Sequence, residues 1–356
     1  MGSRAILIAA GGTGGHLYPG IAVADELLRR EPGMRIVFAG TPCGLESRIV
    51  PRAGYPLELL PILPLNGVGR WRALVGVLAL PLGLLRSLFL VLRLRPAAVL
   101  GVGGYAGGPV ALVAALLGVR TVILEPNAKP GFTNRVLRPF VDAAACAWED
   151  ARVFYGGKGV LTGNPVREGF AVLPKKTVGS VGAVLVFGGS QGSRVLNEAV
   201  TQALGRLPGA ERLRIVHQTG PVQREAVLAA YAQAGREAEV VAYLDDMEGR
   251  FAAADLVVSR SGATTCAELQ AAGKAAVLVP FARAADDHQR VNARAMEARG
   301  AALVVEEKDL TGTSLAQAIA GLLSDLARLS RMGEASRGMS RPDAAARVAD
   351  LLETRA

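Results

Sequence analysis

The 356 residues are 51% hydrophobic and 20% charged, enough apolar chain for two domain cores and too little charge for a disordered protein. A formal net charge of +9 admits anionic partners, but no lysine/arginine run interleaved with aromatics is present, which argues against nucleic-acid binding. Cys43, Cys146 and Cys266 stand too far apart for a zinc site or disulfide frame and suit intracellular thiols.

Residues 4–10 (RAILIAA) read as a strand too short for a signal-peptide core, so the expected location is the cytoplasm. A glycine turn at 11–15, a helix over 18–30 and a strand at 35–39 follow. A helix over 71–93 leads to a strand at 97–102, a second glycine turn (GVGGYAGGP, 101–109) and a helix through 117. A strand at 120–124 and a helix near 130–138 complete a first half. Then the pattern restarts with a strand at 182–187, the turn GGSQGS at 188–193 and a helix over 194–206. Further strands are predicted at 213–217, 239–242, 255–259, 275–279 and 301–305, with a helix ending near 253 and helical chain over 314–356. Short apolar runs alternating with helical stretches call for parallel sheets covered on both faces. The restart half a chain length on predicts two similar α/β domains, 1–165 and 166–340, with 341–356 a helix expected to return to the first. The boundary falls in 160–180, where GNPVREGF and PKKTVGS have linker composition.

Residues 71–95 are long and apolar enough to raise a spanning helix. Arg86 inside it would cost about 2.5–3.5 kcal/mol on insertion scales, and Pro81 interrupts it. Two readings remain, a greasy crossover helix or the same helix resting on an anionic membrane with Arg70, Arg72, Arg93 and Arg95 at its rims.

The turn GGTGGH at 11–16 lets backbone N–H groups approach an anion at a helix N-terminus, and GGSQGS repeats the device with Ser190 and Ser193 as hydroxyl donors. GVGGYA fits the permissive dinucleotide fingerprint, with Glu125 about twenty residues on, which keeps an NAD-dependent oxidoreductase as a remote alternative. His16, at the rim of the first turn, reads as a general base or as a phosphate hydrogen-bonding partner. His217 reads as structural, and His288 as a pocket-shaping residue. No D-x-D spacing occurs, so a metal-bridged diphosphate is not expected, and Arg167 is the candidate fixed cation, with a linker salt bridge as its alternative role. RSGATTCAEL at 260–269 reads as a diphosphate-receiving loop with Glu268 placed for ribose hydroxyls, or as helix capping by Ser261 or Thr264. Cys266 within it reads as a small buried residue rather than a nucleophile.

Taken in order, GGTGGHLYPG (11–20), GTPCGLESRIVPRAGY (40–55), GVGGYAGGP (101–109), GFTNRVL (131–137), GNPVR (163–167), GGSQGSRVLN (188–197), DDM (245–247), RSGATTCAE (260–268) and DHQRVNA (287–293) resemble the MurG family of glycosyltransferase family 28. The resemblance implies a GT-B fold, two Rossmann-like domains facing a central cleft. It also implies inverting, metal-independent transfer of N-acetylglucosamine from UDP-GlcNAc to undecaprenyl-diphosphate-MurNAc-pentapeptide (lipid I), giving lipid II for peptidoglycan, without a cofactor. The donor contacts it implies are Thr13, Gly14, Gly15, Asn127, Arg167, Ser190, Leu244, Ala263, Thr264, Thr265, Cys266, Ala267, Glu268 and Gln289. Ser190 would meet the diphosphate, Leu244 lie by uracil, Glu268 hold ribose and Gln289 read the sugar. Gly103, Gly104, Tyr105 and Asn134 would face the acceptor diphosphate, and His16 would help deprotonate the MurNAc 4-hydroxyl. The same resemblance places the first domain on the cytoplasmic face of the cell membrane through the 70–95 region, with cell-wall synthesis proteins as further partners. Two departures stand out: Pro126 where members carry Gln, and LNGVGRW at 65–71 where they carry a more basic loop. Diacylglycerol glycosyltransferases and UDP-GlcNAc 2-epimerases share the expected architecture and are the nearer alternatives.

Overall fold

The computed structural model describes residues 4–11, 14–42, 44–62, 70–174, 182–209 and 213–354; the side chains of 70–78, 105, 171 and 285 fall outside that description. The chain divides into two compact units, unit 1 being Met1–Arg167 with Arg341–Ala356 and unit 2 being Glu168–Ser340.

Unit 1 runs β1 (Ala5–Ala10), α1 (Gly14–Arg30), β2 (Arg35–Gly40), α2 (Glu46–Arg52), β3 (Leu57–Leu59), α3 (Arg70–Leu94), β4 (Ala98–Gly103), α4 (Gly104–Leu116), β5 (Arg120–Glu125), α5 (Phe132–Leu137), β6 (Ala143–Cys146), α6 (Glu149–Tyr155) and β7 (Gly159–Leu161). Among the described residues its sheet is parallel in the order β3-β2-β1-β4-β5-β6-β7. All six residues of β1 are buried because helices cover both faces. Ile6, Ile8 and Ala10 meet Leu17, Ile21 and Leu27 of α1, while Leu7 and Ala9 face Leu90 and Val91 of α3 and Val110 of α4.

Unit 2 runs α7 (Glu168–Ala171), β8 (Gly182–Phe187), α8 (Arg194–Ala203), β9 (Leu213–Gln218), α9 (Arg224–Gln233), β10 (Glu239–Val241), α10 (Met247–Ala253), β11 (Leu256–Ser259), α11 (Ala263–Ala272), β12 (Ala275–Leu278), α12 (His288–Ala298), β13 (Ala302–Val304), α13 (Gly312–Ser324) and α14 (Leu326–Gly338). Its described strands are parallel in the order β10-β9-β8-β11-β12-β13, the order of unit 1 without a seventh strand. The last helix, α15 (Ala344–Glu353), returns to unit 1. There Val348, Ala349 and Leu352 join the core beside α1, and Arg30 Nη1 bonds Asp350 and Glu353, each at 2.7 Å.

Several local expectations shift. Helix α1 starts at Gly14 rather than residue 18, and α4 starts at Gly104 inside the second glycine turn, so both turns are partly helical first turns. Strands β3, β6 and β7 and helix α6 were not predicted. The AAAC of β6 has no strand-forming side chains and is a strand because β5 and β7 flank it. Among the described residues no helix is long and apolar enough to cross a membrane. Instead α3 lies on the sheet: Gly83, Ser87, Leu90 and Val91 are buried, while Leu82, Leu85, Phe89 and Leu92 are exposed on its outer face.

Candidate functional site

In doubly wound sheets ligands bind beyond the carboxyl ends of the strands, at the point where strand order reverses. Unit 1 reverses between β1 and β4. Their ladder slips there by one residue, Ala9 facing Gly101 and Ala10 facing Gly103, and both glycine turns leave from this slip. Gly104 has φ +73°, and a Cβ on it would strike the Gly11 carbonyl, so only glycine lets the two turns pack back to back. A Cβ on Gly103 would stand 2.8 Å from His16 Cδ2. His16, third residue of α1, is thus half-buried against the backbone of the second turn, next to the helix N-terminus formed by Gly14 and Gly15. Two residues on, Tyr18 lies beneath the Arg167 guanidinium, 4.7 Å from its ring centroid. The structure therefore gathers His16, Gly14, Gly15, Gly103, Gly104 and Arg167. Thr13 lies outside the described residues, as does the Tyr105 side chain.

Beside this group, β5 ends in Glu125, wholly buried. Its Oε1 accepts from the Asn127 N–H at 3.1 Å and from Asn127 Nδ2 at 3.4 Å; Oε2 accepts from the Gly131 N–H at 3.0 Å and Asn134 Nδ2 at 2.9 Å. Burial raises its carboxyl above the ordinary value, and these hydrogen bonds oppose the rise. Glu125 thus organises the loop that presents Asn127 and cannot grip a ribose, which removes the dinucleotide reading of GVGGYA. Asn134 is buried too, its amide nitrogen engaged with Glu125 and, at 3.0 Å, with Leu124 O. The Pro126 carbonyl accepts from Trp148 Nε1 at 3.1 Å, anchoring the departure from the family's Gln.

Unit 2 reverses between β8 and β11, where GGSQGS and RSGATTCAE begin. Ser190 is exposed at the tip of its turn. Ser193 caps α8 by accepting from the Leu196 N–H at 3.4 Å. The buried Gln218, unremarked in the sequence, donates through Nε2 to Gly189 O at 2.8 Å and accepts the Leu244 N–H on Oε1 at 3.2 Å, so one side chain joins the turn to Leu244.

Helix α11 is capped by Gly262 without a side-chain bond, which corrects the capping role expected of Ser261 or Thr264. Ser261 Oγ instead donates to Gln289 O at 2.8 Å. Ala263, Thr264 and Thr265 are half-buried at the helix start, and Ala267 and Glu268 are buried one turn in. Cys266 points into the core with its thiol pushed up to about 12 by desolvation, so it offers a ligand only its backbone.

Gln289 is the second residue of α12, which follows two consecutive left-handed residues, Asp286 (φ 53°) and Asp287 (φ 59°), a turn that aspartate tolerates better than most side chains. Its Oε1 accepts from the Phe281 N–H at 3.0 Å. Gln289 lines a cavity of about 500 Å³ with Gly188, Gly192, Ser193, Arg260 and Phe281. His217 is a core residue bonded to Asn197 Oδ1 (3.1 Å) and the Tyr231 hydroxyl (3.3 Å), and burial draws it down to about 4. Asp246, in the first aspartate pair, caps α10.

Two family models cover the chain, the glycosyltransferase family 28 N-terminal domain over residues 6–146 and the C-terminal domain over 183–348. The UDP-N-acetylglucosamine--N-acetylmuramyl-(pentapeptide) pyrophosphoryl-undecaprenol N-acetylglucosamine transferase of Myxococcus xanthus is 47% identical over 97% of this chain and 91% of that one. The crystal structure of Acinetobacter baumannii MurG superposes with a TM-score of 0.80 at 31% identity, covering 99% of each chain. UDP-GlcNAc 2-epimerase from Neisseria meningitidis, with a TM-score of 0.69 over 98% of this chain and 99% of its own, is only 11% identical and shares the fold alone. By these likenesses and by the two GT-B-type α/β units that carry its motifs, the chain belongs to the MurG family of glycosyltransferase family 28.

Proposed function

We propose a division of labour for the reaction of this enzyme, which transfers N-acetylglucosamine from UDP-GlcNAc to undecaprenyl-diphosphate-linked MurNAc-pentapeptide to make lipid II. Unit 2 seats the donor: Ser190 and the 188–193 turn take the diphosphate, Leu244 the uracil, the 263–268 segment and Glu268 the ribose, and Gln289 the sugar. In unit 1, Asn127 and Arg167 complete the donor contacts together with Thr13, Gly14 and Gly15. Gly103, Gly104 and Tyr105 hold the acceptor diphosphate, Asn134 steadies Glu125 behind them, its amide nitrogen donating to Glu125 and to Leu124 O, and His16 takes the proton of the MurNAc 4-hydroxyl as it attacks the anomeric carbon. The configuration inverts, because one displacement from the face opposite the leaving UDP forms the new bond. Helix N-termini, hydroxyls and Arg167 neutralise the diphosphate without a metal.

The observation that carries this reading is placement. The described candidate residues collect at the carboxyl ends of the strands, around the reversal point of each sheet and on the neighbouring loops, where ligands bind in this architecture. A second placement supports contact with an anionic membrane: Leu82, Leu85, Phe89 and Leu92 recur every three or four residues along exposed α3, with Arg86 and Arg93 beside them. The test supplies labelled UDP-GlcNAc and a short-chain lipid I analogue, with and without EDTA. The reading requires a β-linked disaccharide lipid at equal rates in both; no product would overturn the function, and loss of product with EDTA would overturn the metal-free mechanism.

A further inference from the structure

A guanidinium loses hydration on burial and is tolerated inside a protein when its planar fork of N–H groups is met by acceptors. Arg260 is such a group, 8% exposed just past the end of β11. Its Nε and Nη2 donate to Ser193 Oγ at 3.1 and 2.8 Å. Its Nη1 donates to Val279 O and Pro280 O, each at 3.2 Å, and to Glu307 Oε2 at 3.0 Å. The Phe281 ring lies 5.4 Å away.

These partners belong to three separate connections, from β8 to α8, from β12 to α12 and from β13 to α13. Glu307 Oε2 also accepts the Ala282 N–H at 3.0 Å, and the Phe281 N–H is the one that holds Gln289 Oε1. One buried cation therefore ties the cap of α8 to the segment that steadies Gln289. These contacts hold the guanidinium against three loops at the wall of the cavity it shares with Gln289.

We propose that Arg260, counter-charged by Glu307, is a positioning residue for transfer. It fixes the 188–193 turn and the Gln289-bearing segment at one spacing, so that the diphosphate and the sugar of UDP-GlcNAc are seated together. The inference rests on the donor assignment above. A lysine cannot reproduce the fork, because one ammonium does not reach Ser193 and Glu307 in the same geometry. Loosening that spacing misplaces the sugar relative to its leaving group and costs rate more than nucleotide affinity.

Four quantities decide it: kcat, UDP-GlcNAc affinity, UDP affinity and Tm, measured on Arg260→Lys, Glu307→Ala and Glu307→Gln. Arg260→Lys should lower kcat about tenfold or more and weaken UDP-GlcNAc, while UDP affinity stays within about twofold. Glu307→Gln keeps an acceptor oxygen and should recover part of the kcat lost in Glu307→Ala. A folded Arg260→Lys protein with undiminished kcat overturns the proposal. So does a parallel fall in both affinities and Tm, which would mark a purely structural residue. Should Arg260→Lys not fold, the two Glu307 variants discriminate in the same way on the same readouts. Undiminished UDP-GlcNAc affinity in both Ser190→Ala and Gln289→Ala would overturn the donor assignment instead, and with it the premise of the proposal.

Discussion

At the reversal of unit 1, between β1 and β4, the structure puts glycine backbone against glycine backbone, with His16 laid across Gly103 and Glu125 buried behind the neighbouring loop. At the matching reversal of unit 2, between β8 and β11, hydroxyls, amides and a buried arginine join the loops instead: Gln218 to Gly189 and Leu244, Arg260 to Ser193 and Glu307. The strand order is shared, so the sheet does not set this difference. The loops do. Among the described residues unit 1 has a largely backbone cradle, with His16 at its rim and the buried Glu46 carboxylate beside Gly11, the arrangement proposed above to hold a diphosphate and move a proton. Unit 2 is cross-linked through side chains, as recognition of a nucleotide sugar with many fixed polar groups requires.

The largest effect expected from this contrast is on chemistry in unit 1. His16→Ala should lower kcat by about 10²–10⁴-fold, the usual contribution of a general base, measured with saturating donor and acceptor. A loss below about threefold would leave His16 a bystander.

In unit 2 the corresponding change should appear in donor recognition. Glu268→Ala should raise the KM for UDP-GlcNAc about ten- to a hundredfold, the worth of a hydrogen bond to a charged group, with kcat changed less. A kcat loss at constant KM would break the comparison.

The two units also differ in the sign of their buried titrations. His217 is drawn from 6.5 down to about 4 by burial, so below pH 6.5 the unfolded chain binds a proton that the folded one refuses. Its stabilising effect is complete above pH 6.5 and is lost as pH falls toward 4, by up to about 2 kcal/mol at pH 5. Glu125 is raised by burial, so the folded form holds its proton more tightly and acidification relieves unit 1. Hydrogen exchange at pH 7 and pH 5 should therefore show unit 2 losing protection first, and His217→Gln should flatten that loss. Equal loss in both units would contradict the contrast.

The smallest effect is predicted for Gln218→Leu. Removing the link between Gly189 and Leu244 should weaken UDP-GlcNAc several-fold, the scale of about 1 kcal/mol per lost net hydrogen bond. Binding of UDP alone should weaken alongside it, because the proposed donor seat puts both ends of that link on the nucleotide side. Weakening confined to the sugar-bearing donor would contradict this.

Much of this plan was legible in the sequence. Buried runs such as AILIAA and GAVLVF, each followed by a glycine turn and a helix, led to two parallel α/β sheets, and the order of motifs led to the family. What escaped has physical causes. Gly14 and Gly104 open helices although glycine usually ends them; at Gly104 the close approach of the Gly11 backbone outweighs poor helix propensity. Strands β3 and β7 have three residues each and take their place from neighbours rather than from a pattern of their own. Arg260 stood in plain view before SGATT, but its side-chain partners lie 67 and 47 residues away, beyond any local rule. Gln218 left one readable sign, a polar His-Gln pair ending the apolar run LRIV. Residues 65–69 and Thr13 lie outside the described chain, so the acceptor-side loop rests on its sequence alone.

In the proposed assignment the seats for the donor's uracil, ribose and sugar fall in unit 2, and proton removal falls to His16 in unit 1. Equilibrium titration of UDP-GlcNAc into the His16→Ala protein tests that division most directly. The expected Kd lies within about twofold of that of the unsubstituted enzyme although transfer is lost. A Kd raised in proportion to the lost activity would contradict the division, because His16 would then be part of the donor's seat.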